Sequence, residues 1–308
     1  MTSHPRRPAA RALAAAAIAV LLVPAAWVAG PPSPVGAVAL IAVPAPTATA
    51  SGIPIRPAPV PAALASTMSP TATSIERSLL TWLNRDRVAL GLRPLRADTP
   101  VARLAGERAA RLAGIGILSH QYAGGDLGSA LSGRGVEWYR YGENIGTSTA
   151  TWGLQAASMI YALWRASPEH WTAMTSETLN YVGIGVAYRS ENGATYASIV
   201  FTESPDHTAP WARLTSARTL TSTTGTAASF AWRGADPILQ SHTAGLRTFD
   251  VQYRVDAGPW RIVRSGTTTT ALTLPRRPPG HAYWLRVRAR DGRGNLSAWS
   301  RPLRVIVR

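Results

Sequence analysis

The sequence contains no cysteine and no lysine. Without cysteine there is no disulfide, no thiolate metal ligand and no thiol nucleophile, so an exported chain of this kind holds its core by packing alone. All 32 basic residues are arginine, against 16 acidic ones, for a formal charge of +16. With the alanine-rich background, uniform arginine reads as a GC-rich coding bias more than as a set of selected contacts. There is no Gly-x-Ser-x-Gly nucleophile elbow and no phosphate loop. Gly183-Ile184-Gly185 lacks a third glycine and a following helix, which makes it a strand feature and not a dinucleotide fingerprint.

The positive charge is unevenly spread. Residues 1–72 hold four arginines and no acid, residues 73–206 hold twelve of each, and residues 207–308 hold sixteen arginines and four aspartates. A uniformly basic nucleic-acid surface is thereby excluded over the middle segment, and nucleic acid is not an expected partner. The field belongs to the C-terminal third.

At 308 residues the chain has room for two domains and extensions. Arg6, Arg7 and Arg11 precede the apolar run Ala12–Val28, and Ala37-Val38-Ala39 fits a small-x-small cleavage site. Residues 1–39 therefore read as a secretory leader, either cut or kept as an anchor, and imply an extracellular or cell-surface location. Residues 40–72, rich in proline and alanine and nearly uncharged, read as an extended spacer without a core of its own.

Periodicity then places ordered elements. Thr73 and Glu76 have capping-box spacing, and Ile75, Leu79, Trp82 and Leu83 predict a first helix to about Leu90. A second helix is expected from Pro100 to near Gly114, and a third over Trp152–Ala166. Gly124–Gly135 reads as loop. Tyr181–Tyr188 and Tyr196–Phe201 read as strands. Helices followed by strands over 73–206 suggest an α/β layered domain. Beyond Pro210 the pattern changes to short alternating runs, at 228–232, 249–255, 271–274, 283–289 and 303–307, which is the pattern of an all-β sandwich.

Three side chains carry the chemistry of the first domain: His120, Glu143 and His170, in Ser119-His120, Gly142-Glu143-Asn144-Ile145 and Trp164-x-x-Ser167-Pro168-x-His170. If folding brings them together, two imidazoles and a carboxylate could hold a divalent metal or orient a ligand. Glu143 also has a plain role open to it, satisfying backbone N–H groups in its loop. With Asn84-x-x-Arg87, Gly91-Leu92-Arg93-Pro94-Leu95 and the strand Tyr181–Gly185, these motifs occur in the order of the CAP superfamily, whose bacterial branch residues 74–206 resemble. The resemblance implies an α-β-α sandwich with a cleft lined by His120, Glu143 and His170. It also implies ligands such as sterols, other lipids or a divalent metal such as zinc. Glu169 adds a carboxylate beside His170. Ser167 stands where many relatives carry a glutamate, and Trp171 and Ala173 replace a bracing arginine and asparagine.

Residues 212–308 resemble a fibronectin type III domain: Trp232 on an early strand, alternation over Phe249–Val255, and Pro279–Tyr283 leading into a tyrosine corner. Alternation turns Tyr283, Leu285, Val287 and Ala289 inward and Trp284, Arg286, Arg288 and Arg290 outward. With Trp299-Ser300 this is similar to half of the arginine–tryptophan ladder of cytokine-receptor modules, and predicts a short ladder with Arg286 or Arg288 on Trp299. Such a face either stiffens the sheet or meets an anionic envelope polymer through Arg286, Arg288, Arg290 and Trp299. The CAP resemblance implies a secreted binding module more than an enzyme. The competing reading is a metal-dependent hydrolase or peptidase, with His120 and His170 on the metal and Glu143 or Glu169 as base.

Overall fold

The computed structural model describes residues 22–29 and 70–308, apart from 150, 151 and 224. Its first part is a five-stranded sheet between helical layers. The strands are β1 (Leu22–Ala29), β2 (Arg96–Ala97), β3 (Arg140–Ser148), β4 (Tyr181–Arg189) and β5 (Ala194–Glu203). Their spatial order is β1-β3-β5-β4-β2, antiparallel except where β2 meets β4. The helices are α1 (Pro70–Ala89), α2 (Thr99–Ile115), α3 (Leu127–Ser132), α4 (Gly153–Ala166) and α5 (Pro168–Met174).

Helix α1 buries Ile75, Leu79 and Leu83 completely, one residue per turn, against Ile160, Tyr161 and Trp164 of α4. With Ala173 and Met174 of α5 this makes one layer, resting on Val182, Ile184, Ala197, Ile199 and Phe201 of the sheet. The opposite layer is α2 with α3, packed on Tyr141, Ile145, Tyr196 and Val200. Helix α2 is capped by Asp98, whose side chain accepts from the Val101 N–H, and it closes on Gly116 at φ 78°. It lies directly on β4. A Cβ at Gly183 would sit 2.2 Å from the Val101 carbonyl carbon, and one at Gly185 2.2 Å from the Gly106 nitrogen. The two glycines of that strand are required by this helix–sheet approach.

Several elements depart from the sequence expectation, which has no strand at β2, β3, Trp211–Ser222 or Arg261–Thr267. The stretch 124–135 holds the short helix α3, capped by Asp126, within what reads as a glycine loop. Ser167-Pro168 starts a separate helix, α5. Leu22–Ala29, inside the expected leader, is the edge strand β1, paired from Leu22↔Gly146 to Ala29↔Arg140 with a register shift between Val23 and Ala26. Pro24 falls at that shift, and an edge strand tolerates a residue without an N–H. The candidate cleavage site at Ala37–Ala39 and the spacer as far as residue 69 lie outside the described residues, as does the Thr73 side chain of the expected capping box.

The C-terminal part has seven strands in two sheets: β6 (Trp211–Ser222), β7 (Gly225–Ala235), β8 (Leu246–Val255), β9 (Arg261–Thr267), β10 (Ala271–Leu274), β11 (Ala282–Asp291) and β12 (Leu303–Ile306). One sheet runs β10-β7-β6 and the other β12-β11-β8-β9. Phe230 and Trp232 from the first meet Phe249, Val251, Leu285 and Val287 from the second in a single core. The two parts are docked. The Arg93 N–H donates to Gln240 Oε1 at 2.7 Å, Gln240 Nε2 to Glu177 O at 3.0 Å, and Asn180 Nδ2 to Ser241 O at 3.1 Å.

Candidate functional site

Alternation along β3 decides what its motif can do. Tyr141, Glu143 and Ile145 point toward α2, while a Cβ at Gly146 would meet Ile160 and Trp164 on the other side. Glu143, 1% exposed, therefore looks into the α2 layer. There Arg108 closes a two-pronged ion pair on it, Nε to Oε1 at 2.6 Å and Nη2 to Oε2 at 2.8 Å. Ser198 Oγ, on β5 opposite Ile145 and two residues along from Glu143's partner Val200, donates to Oε1 at 2.8 Å. His120 Nδ1 lies 2.8 Å from Oε2. Arg108 also donates to His120 O at 3.2 Å and Gly125 O at 3.3 Å, so one guanidinium ties the segment after α2 to the sheet.

The electrostatics follow from this packing. Burial raises the Glu143 carboxyl, but the hydrogen bonds from His120 and Arg108, with the Arg108 charge behind them, hold it below the ordinary carboxylate value. Glu143 is ionised and fully engaged. The His120 side chain, 20% exposed, is the member of the cluster that reaches solvent.

His170 sits in the other layer. It is 1% exposed on α5, with Nδ1 2.7 Å from Ser167 Oγ. Its carbonyl accepts from Asn144 Nδ2 at 3.1 Å, the residue after Glu143 and on the opposite sheet face. His120 and Glu143 are thus brought together, and His170 is not added to them. Glu169 is exposed in the first turn of α5, while the adjacent His170 is buried. Among the described residues, the group with three metal-type donors within 4.8 Å of one another is Asp206, Asp236 and Asp291. The expected His120, Glu143 and His170 set is not such a group: His120 meets Glu143 under α2, while His170 sits on α5 beside Ser167.

Sequence reasoning missed Arg108 and Ser198. A signal for Arg108 was present: it interrupts the apolar stripe Val101, Leu104, Ala105, Leu112 of α2, and a charge in a core stripe requires a partner. The other motif residues brace loops. Asn84 Nδ2 donates to Leu95 O at 3.0 Å while the Leu95 N–H returns to Asn84 Oδ1 at 2.8 Å. The buried Arg87 donates to Arg93 O, Met174 O and Ser176 O, and desolvation lowers its pKa to about 10.

On the C-terminal module the outward face of β11 carries a longer ladder than the sequence predicts. Trp260 and Trp284 join Trp299. Arg304 and Arg254 lie 5.5 and 5.1 Å from the Trp284 ring centre, Arg254 and Arg286 4.9 and 4.4 Å from that of Trp260, and Arg286 and Arg288 4.9 and 4.7 Å from that of Trp299. Arg286 is also held by Gln252, and Arg288 and Arg290 face Asp250.

Residues 80–202 match the model of the CAP family, described as the cysteine-rich secretory protein family. Among solved structures, the chain is similar to a cysteine-rich secretory protein from Staphylococcus aureus, at 20% identity over 43% of this chain and 39% of that one, TM-score 0.35. It is similar also to an extracellular protein containing an SCP domain from Bacillus anthracis, at 18% identity over 45% of each chain, TM-score 0.37. A third likeness is to an Fn3-like protein from Clostridium thermocellum, at 17% identity over 33% of this chain and 96% of that one, TM-score 0.23. The chain spans less than half the length of the first two. No curated protein matches it. No helix among the described residues is long and apolar enough to cross a membrane.

Proposed function

We propose that this protein, whose residues 80–202 carry a CAP domain, is a secreted or surface-tethered bacterial binding protein and not an enzyme. Its C-terminal module is a fibronectin type III-like domain that meets anionic polymers of the cell envelope. The observation that carries the binding reading is the ion pair of Arg108 with Glu143. As a general base, Glu143 would need a free oxygen and a carboxyl poised near neutrality. Instead both oxygens are occupied, and the group is held ionised. Ser198 donates its proton into the same carboxylate and is not a nucleophile in waiting. The cluster is a rigid wall beside the half-open His120, suited to a lipid, sterol or other small ligand.

The fibronectin-like reading rests on the three-plus-four strand arrangement, Trp232 in the shared core, and the Tyr283 hydroxyl donating to Pro278 O at 3.4 Å, as in a tyrosine corner. The envelope contact rests on the basic excess of residues 207–308 and its concentration on two surfaces. One is the ladder face of Arg286, Arg288 and Arg290. The other is a concavity lined by Arg276, Arg277 and Arg308.

Retention of the purified chain on isolated bacterial envelope, at low and high salt, tests this. Retention is expected to fall with salt. It is expected to be lost when Arg286, Arg288 and Arg290 are changed to Ser, and weakened by Arg276→Ser with Arg277→Ser, which leaves the ladder intact. Equal retention of all forms at both salts overturns the envelope reading.

A further inference from the structure

The C-terminal module has four aspartates among sixteen arginines. Asp250 takes arginine partners and Asp256 pairs with His281. The remaining two, Asp236 and Asp291, approach Asp206 instead, and each of the three offers an oxygen within 4.8 Å of the others. The three come from distant places: Asp206 from the connection between β5 and β6, Asp236 from the residue after β7, Asp291 from the end of β11. They are 1%, 9% and 0% exposed.

Their hydrogen bonds come from neutral donors. Asp206 accepts from Tyr181 Oη, the Thr208 N–H and the Ala244 N–H. Asp291 accepts from the Arg293 and Asn295 N–H groups and from Asn295 Nδ2. Asp236 Oδ2 accepts from the Gly245 N–H at 2.7 Å, but its buried Oδ1 has no hydrogen-bond partner. Among the described residues, no ion pair includes any of the three. Three buried carboxylates with no direct ion pair, Arg96 acting on Asp236 only from a distance and one oxygen orphaned, repel one another in a medium that screens poorly.

We infer that Asp206, Asp236 and Asp291 bind a hard divalent cation of the calcium or magnesium class at the junction of the two modules. Three atoms no more than 4.8 Å apart share a point within about 2.8 Å of each, so a small inward shift meets the roughly 2.3–2.6 Å that calcium takes with oxygen ligands. The donors are all carboxylate oxygens, which select hard cations over zinc. The orphaned Asp236 Oδ1 gains a partner, and the ion supplies the direct charge contact that no arginine makes with these carboxylates. The site also has a structural consequence. It ties the connection leaving the first module to two strand ends of the second, beside the Asn295 Nδ2 to Asp206 O bond of 3.0 Å, and so fixes how the modules are docked.

Calcium alone is the probe, with magnesium as a second arm, on the whole chain after EDTA treatment. Calorimetry is expected to show one ion bound per chain, and a hundredfold excess over Kd to raise the thermal midpoint by about 5 °C or more. Asp236→Asn keeps an acceptor for Gly245 but removes the charge. It is expected to abolish both responses while unfolding at a higher temperature than the EDTA-treated parent, because the repulsion is relieved. That higher midpoint separates loss of binding from loss of fold. A parent that binds neither cation overturns the inference, as does an Asp236→Asn chain that binds calcium as tightly as the parent. Neither outcome depends on envelope retention.

Discussion

Glu143 and Asn144 are consecutive in the chain and serve opposite layers of the molecule. The Glu143 carboxylate closes on Arg108 under α2, and the Asn144 amide holds the His170 carbonyl of α5 at 3.1 Å on the other side of the sheet. The Gly-Glu-Asn motif is therefore a two-sided clasp, and the sheet stands between the two histidines that the sequence invites one to join.

The Arg108 side of that clasp has an asymmetric energetic signature. Arg108→Met leaves Glu143 buried and uncompensated, and is expected to cost about 3–5 kcal/mol of stability. Arg108→Met combined with Glu143→Leu removes both charges and is expected to recover most of the loss. Urea unfolding of the two variants and the parent measures it. Additive losses in the double variant would contradict the ion-pair account.

Two groups set a pH dependence. Burial raises the Glu76 carboxyl from 4.5 to about 7, partly offset by the Val186 backbone N–H. The His207 imidazole is raised above 6.5, chiefly by its hydrogen bond to Asp98 at 2.5 Å, against the desolvation that opposes it. Both folded-state values lie above the unfolded ones. Their contribution is complete below the unfolded pKa and is lost as pH rises through the folded one, below about 7 for Glu76 and above 6.5 for His207. Glu143, held low, works in reverse and loses its contribution in acid. Stability is expected to be greatest in the mildly acidic range and to fall toward pH 8. Glu76→Gln is expected to add about 1 kcal/mol at the alkaline end, after allowing for its partial exposure, and little near about pH 5. Unfolding midpoints across that range decide it.

Trp260 is the middle rung of the ladder, with Arg254 and Arg286 both facing its ring. Removing it as Trp260→Ala is expected to cost about 1–2 kcal/mol from two cation–π contacts at partly exposed sites. It should also weaken envelope retention, by freeing two arginines from a fixed spacing. Thermal unfolding and the retention assay read the two effects separately.

The helices of the first module were legible because their burial is periodic: Ile75, Leu79 and Leu83 announce a face before any partner is known. Strand β3 was hidden by the same logic. It is buried along nearly its whole length but rich in polar residues. Glu143 is satisfied by Arg108, Asn144 donates to His170 O, and Thr147 donates to Thr195 O. Polar side chains that find their partners across a fold carry no local hydrophobic signal. Trp260 was missed as a rung for a similar reason, since it lies just outside β9 and only strand pairing brings it under Arg254 and Arg286.

By itself the sequence determined the change beyond residue 210 from mixed helices and strands to strands only, the inward face of β11, the arginine excess at the C-terminal end and the absence of thiol chemistry. These depend on composition and on short-range period. The tertiary structure alone decided that Glu143 pairs with Arg108, that His170 sits in the α5 layer, and that Asp206, Asp236 and Asp291 converge. Each of those is a pairing of charges or donors far apart in the chain. Coulomb and hydrogen-bond energies depend on distances of a few ångströms, which only the folded backbone sets.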